Sequence, residues 1–254
     1  TMVNVGGTAT TYDLTDTPAP DVNITVNGAS VSGYAVLSFT NAGPYTLASD
    51  ELIGAGSNHV YTLVLDLTLG EGIRISRTFP LPCLESGFGF EANRGLYNRI
   101  NVTYTTNEFP LEVEACGEIP PYILIDKSFV SATEADINGN FVATYDVSVI
   151  NVGGSEGTYD LTDTPSPDTN ITVNGASVSG QVTTNFTGVG PYTLASGELL
   201  GEGAIHTYTV AVSMTLESQV LAGAAFVTVC GEGSGTAVAG EGLFNAATVT
   251  YGTN

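Results

Sequence analysis

The chain has 254 residues, with 5 Lys and Arg against 26 Asp and Glu and a formal net charge of −21. Nucleic-acid binding needs clustered cations to neutralise phosphates, and one lysine with four arginines excludes it as a function. No apolar run reaches the roughly 20 residues of a membrane span, and the wealth of Thr, Val, Tyr, Ile and Gly favours strands over helices.

The first elements return later in the chain. Thr11–Pro18 (TYDLTDTP) recurs at Thr158–Pro165, Asn23–Gly33 (NITVNGASVSG) at Asn170–Gly180, and Gly43–Ser49 (GPYTLAS) at Gly190–Ser196. His59, Tyr61, Cys83, Asn98 and Tyr104 match His206, Tyr208, Cys230, Asn245 and Tyr251 at the same offset of 147. A repeat of this length is the size of one domain. Gly117-Glu-Ile-Pro-Pro121 reads as the link, because Pro-Pro is stiff and donates nothing to a sheet. The expected units are residues 1–119, without an opening strand, and residues 120–254, without a C-terminal end.

Within one unit, Tyr122–Val130 predicts an opening strand and Asp136–Asn140 a hairpin turn at Asn138-Gly139, with both turn residues at positive φ. Phe141–Val152 predicts the returning strand, broken by Gly153-Gly154, and Thr158–Thr162 a short one. Asn170–Val173 and Ala176–Ser179 flank a second Asn-Gly and predict another hairpin. Ala204–Thr215, Ala224–Cys230 and Leu243–Tyr251 complete the set. Seven or more short strands without a helical period predict an all-β fold of tandem immunoglobulin-like β-sandwich repeats with a 147-residue period.

Cysteine arithmetic suggests one disulfide per unit. Cys83 pairs with Cys116, and the partner of Cys230 falls beyond residue 254; three free thiols is the competing reading. A disulfide implies an oxidising compartment.

TYDLTDTP, HTYTV, Cys230, GLFNAATVTY and the Tyr-rich strand TYDVSVINVGG together resemble the DUF11-type immunoglobulin-like repeats of bacterial surface adhesins and extracellular fibres. The resemblance covers both units. It implies an extracellular or cell-surface protein, a structural unit of a fibre or stalk and not an enzyme. Its partners would be neighbouring repeats of the same chain or identical chains in a filament. The alternative is an adhesin module that binds glycan or protein through variable loops. Arg74–Asn93 differs almost completely from Leu221–Gly240 and is the segment that would set such contacts.

Lys127 is the chain's single lysine and shares a strand face with Ile123, Ile125 and Phe129. Asn245 shares a face with Leu243, Ala247, Val249 and Tyr251. An inward Lys on an opening strand and an inward Asn on a late one resemble the isopeptide-forming pairs of pilin-like domains. The reaction needs a neutral amine and a protonated acid, for which Asp160, Asp146 and Glu198 are candidates. The competing reading has Lys127 snorkelling at a sheet edge.

Other constellations read as structure. Asp13/Asp16 and Asp160/Asp163 lie three apart on a strand, hence on opposite faces, and Asp before Thr-Pro reads as a turn former. Glu134, Asp136, Asn138 and Asn140 have the spacing of a calcium-loop start without its bidentate Glu. No metal site or cofactor is expected; structural calcium there, or between repeats at Glu118 and Asp136, is the alternative. His59 and His206 lack the company that zinc requires and read as packed or edge residues.

Overall fold

Strand propensity is realised almost throughout. The computed structural model describes residues 1–76, 79–86, 89–104, 110–223, 229–230 and 238–252, which form antiparallel sheets with two short helices. They divide into two compact units, Thr1–Pro120 and Pro121–Asn254.

The first unit contains β1 (Met2–Val3), β2 (Thr10–Pro18), β3 (Ile24–Gly33), β4 (Leu37–Phe39), β5 (Tyr45–Ile53), β6 (Asn58–His59) and β7 (Tyr61–Leu69). Then come α1 (Glu71–Ser76), β8 (Glu85–Ser86), β9 (Gly89–Phe90), β10 (Asn98–Tyr104) and β11 (Leu111–Ala115). The larger sheets have the orders β11-β10-β2-β5 and β4-β3-β7, and β1-β6 and β8-β9 are short ribbons.

The second unit contains β12 (Ile123–Ala132), β13 (Asn140–Asn151), β14 (Gly157–Pro165), β15 (Ile171–Gly180), β16 (Thr184–Thr187), β17 (Tyr192–Leu200), β18 (Ile205–Leu216), α2 (Ser218–Leu221) and β19 (Asn245–Gly252). Its sheets run β12-β13-β18-β15-β16 and β17-β14-β19. Alternation along β13 and β18 turns Tyr145, Val147, Val149, Val210, Val212 and Met214 inward, where they join Tyr159, Leu161, Tyr192 and Leu194 of the other sheet in one core. Each such buried side chain contributes roughly 1.5–3 kcal/mol.

The structure departs from the expected elements at four places. Asn174-Gly175 is no hairpin. It is an irregularity within the continuous strand β15, where the register against β18 shifts between Val173 and Gly175. Glycine is required there by crowding, since a Cβ would lie 2.4 Å from the Phe186 carbonyl oxygen. At the Asp136–Asn140 turn only Gly139 has positive φ; Asp136 stabilises the turn by accepting from the Asn138 and Asn140 N–H groups. The short strand at Thr158 extends to Pro165, because Asp163 pairs with both β17 and β19 and Pro165 with β19. Helix α1 follows β7, where no helix was expected. The strand expected at Ala224–Cys230 lies outside the described residues over 224–228, and Val229 and Cys230 are not in a strand.

Candidate crosslink site

Three strands bring Lys127, Asp163 and Asn245 together. Strand β12 pairs with β13 and also lies against β19, the last described strand of the unit. Strand β14 runs beside β19 with Asp163 opposite Ala247 and Pro165 opposite Asn245. Asp163 and Asn245 are therefore diagonal neighbours on one face.

Asp163 is fully buried, and the Lys127 ammonium donates to its Oδ1. The lysine side chain is 13% exposed, and its Nζ lies 5.2 Å from the centroid of the Tyr145 ring. Burial pulls the lysine pKa below its ordinary value, and the Asp163 charge only partly offsets this. Asp163 Oδ2 and both polar atoms of Asn245 are buried without a hydrogen-bond partner. A buried amide left this way costs about 1–3 kcal/mol for each unmet group.

The acid beside the lysine is thus Asp163, and the three expected acids are elsewhere. Asp160, on the opposite face of β14, accepts from the Gly197 N–H at 2.7 Å. Asp146 accepts from the Thr209 hydroxyl at 2.7 Å, and Glu198 from Gln181 Nε2 at 3.0 Å. Asp160 and Asp163 lie on opposite faces of β14, as their spacing of three predicts, with Asp160 exposed and Asp163 in the core. Ile123 and Ile125 pack at the core beside the lysine, but Phe129 is 55% exposed, next to a break in the β12–β13 register.

The first unit holds the same acid and amide. Asp16 is fully buried, and Asn98 Nδ2 donates to its Oδ1 at 2.9 Å. Burial raises the Asp16 carboxyl to about 6, against a smaller lowering by Asn98. Asp16 Oδ2 and Asn98 Oδ1 remain unpaired.

A second arrangement, not expected from the sequence, joins Tyr and His side chains in each unit. Tyr159 bonds through its hydroxyl to His206 Nδ1 at 2.8 Å and to the Tyr208 hydroxyl at 2.6 Å. Tyr12, His59 and Tyr61 do the same at 2.8 and 2.6 Å. Burial holds the Tyr12 and Tyr159 hydroxyls neutral, far above the usual tyrosine range. This satisfies polar groups inside the fold. The paired spacing of Tyr and His in the two halves was the available signal.

Cys83 and Cys116 form a disulfide with their Cα atoms 5.9 Å apart, and Cys230 is a free, exposed thiol. Among the described residues no group of three His, Cys, Asp or Glu side chains is placed to hold a metal. The Asp136 carboxylate is already engaged by its own turn. Among these residues, too, no helix is long and apolar enough to cross a membrane. Within the variable segment, Phe79, Leu81 and Leu84 are solvent-exposed; Arg77 and Phe88, and much of the second unit's counterpart, lie outside the described residues.

No family model matches the chain, and no curated protein does. Among solved structures, an allantoicase is similar at 10% identity over 82% of this chain and 74% of that one, with a TM-score of 0.15. The VP2 subviral particle of infectious bursal disease virus is similar at 11% identity over 97% and 62%, also with a TM-score of 0.15. Neither likeness carries a fold or an activity to this chain.

Proposed function

We propose that the chain is a piece of an extracellular, tandem immunoglobulin-like array, a fibre or stalk whose units are closed by an isopeptide bond, here between Lys127 and Asn245. The observation that supports this reading is the buried Lys127–Asp163 pair beside an Asn245 amide with no partner. The 147-residue period, the resemblance to DUF11-type repeats and the Cys83–Cys116 disulfide agree with a structural role outside the cell.

The chemistry balances without a cofactor. The Lys127 proton passes to Asp163, leaving a neutral amine and a neutral acid. The acid donates to Asn245 Oδ1 and polarises its carbonyl. Nζ attacks Cγ, the Cγ–Nδ2 bond breaks, and the amide nitrogen takes one proton from the amine and leaves as ammonia; the proton held by Asp163 then passes to that ammonia, which departs as ammonium, and Asp163 returns to the carboxylate. The product replaces an unsatisfied NH2 group with a secondary amide whose N–H Asp163 can accept.

Intact mass of the denatured chain tests this. The expected value is the sequence mass, corrected for the disulfide, less one ammonia; an uncorrected mass would sink the reading. Electron microscopy of the native material should show filaments or stalks.

The adhesin reading has one observation in its favour, the exposed Phe79, Leu81 and Leu84 close to the disulfide. Exchanging Arg74–Asn93 for Leu221–Gly240 should abolish ligand capture if these loops bind, and leave assembly intact.

A further inference from the structure

We infer that Tyr145 is the positioning residue of the crosslink. Its ring takes the Lys127 amine, its hydroxyl ties down the chain that enters β19 with Asn245, and one side chain thereby sets the approach of nucleophile to amide. The inference rests on the crosslink reading above and adds the group that brings the two reacting side chains together.

Strand pairing puts the ring in place. Lys127 lies opposite Val147 and Phe129 opposite Tyr145, so Lys127 and Tyr145 are diagonal neighbours on the inward face of β12 and β13. A long side chain spans that diagonal, and Nζ stands over the ring, 5.2 Å from its centroid. At this range the negative face of the ring attracts an ammonium. Phe129 meets the same ring at its edge, with centroids 5.7 Å apart and an angle of 69° between the planes. That contact gives an otherwise exposed Phe129 a use: it holds the ring that holds the lysine.

The hydroxyl end reaches the other reactant. Tyr145 is 3% exposed, and a hydroxyl so buried needs a partner. It donates to the Leu243 carbonyl oxygen at 2.6 Å. Burial holds the phenol neutral, well above the usual tyrosine range, so it remains a donor. Leu243 precedes the first residue of β19, Asn245, and lies outside the ladder that pairs β19 with β14. The approach to Asn245 is therefore held by this bond and by one from the Ser166 N–H to the Phe244 carbonyl at 2.9 Å.

The tie matters because the amide has no other. Neither polar atom of Asn245 has a hydrogen-bond partner, so its backbone and packing alone place Cγ before the amine. Attack on an amide is sensitive to that placement, and an error of about 1 Å costs on the order of 100-fold in rate.

The test follows loss of ammonia by intact mass in the full chain, from a short pulse of cell-free translation onward, with each variant compared where it is fully folded. Tyr145→Phe keeps the ring and removes the tie, and crosslinking should slow roughly tenfold, the worth of one hydrogen bond. Tyr145→Leu removes the ring as well and should slow it about 100-fold. A role in stability alone would shift the denaturation midpoint and leave the rate of the folded chain unchanged. The ring is read separately in an Asn245→Ala chain, which keeps the Lys127–Asp163 pair and cannot crosslink. There the Lys127 ε-methylene protons should show the upfield NMR shift of a ring face, kept with Tyr145→Phe and lost with Tyr145→Leu. Tyr145→Phe, which preserves volume, decides the matter if Tyr145→Leu does not fold. Equal rates for Tyr145→Phe and an unmodified chain that does crosslink, or no upfield shift, would overturn the role of Tyr145 alone. If the unmodified chain never loses ammonia, the crosslink reading falls and this inference with it.

Discussion

Asn98 donates to Asp16 across 2.9 Å, whereas at the matching positions Asn245 makes no bond to Asp163, because Lys127 has taken the same carboxylate oxygen. One acid thus has two alternative partners, and the presence of the lysine decides which it keeps. Asp163→Asn keeps the volume but cannot relay a proton. It should retain the unreacted Lys127 amine and the full mass, readable by mass spectrometry and by labelling of the chain's single ε-amine.

Lys127→Met should also prevent the loss of ammonia, and for a different reason. It leaves the buried Asp163 without the Lys127 nitrogen, an ammonium before reaction and an amide N–H after it, from which it accepts. Breaking a buried pair from one side costs about 3–5 kcal/mol, so the unfolding transition of the second unit should move to lower denaturant. Lys127→Met combined with Asp163→Leu should recover much of that loss while remaining uncrosslinked.

The first unit should become less stable as pH rises from about 4 to about 6. Asp16 is raised from 3.8 to about 6 in the folded state, so over this window the native unit holds a proton that the unfolded chain has released. The folded state then loses stability with increasing pH, by on the order of 3 kcal/mol from this group. Urea titrations across the window should show the decline, and Asp16→Asn should flatten it.

Tyr159→Phe removes a hydroxyl that bonds both His206 and Tyr208. The buried Tyr208 hydroxyl and the part-buried His206 ring lose their shared partner, which should cost the second unit about 1–3 kcal/mol. Tyr12→Phe should act likewise on the first unit. Denaturant melts of the two variants should each shift one transition.

Reducing the disulfide should affect the first unit selectively. Cys83 and Cys116 are 33 residues apart, a loop whose closure contributes roughly 3–4 kcal/mol in the chain-entropy description. Thermal melts with and without reductant should show one transition fall while the other stays.

Strand positions could be read because alternating branched and aromatic residues have only one way to bury a face, and β13 and β18 follow that pattern through their length. The Asn-Gly pairs misled because glycine serves two needs. It allows positive φ at Gly139, but at Gly175 it makes room for a neighbouring carbonyl, and sequence shows the residue without the need. For the site, strand alternation was enough to turn Lys127 and Asn245 inward. The acid depended on which strand lies beside β19, a pairing between distant segments that local pattern does not encode; β14 proves to be the neighbour, which selects Asp163.

Beyond Arg99 the chain has a single Lys or Arg, Lys127, and the fold turns it inward against Asp163. Proteases of trypsin-like preference cut after exposed Lys or Arg in extended backbone. The second unit offers them no such residue while folded, and an acylated lysine would give them none after unfolding. Digestion by such enzymes, followed by reduction of the Cys83–Cys116 disulfide, should therefore release the first unit's arginine-bearing segments and leave residues 100–254 as a lasting fragment.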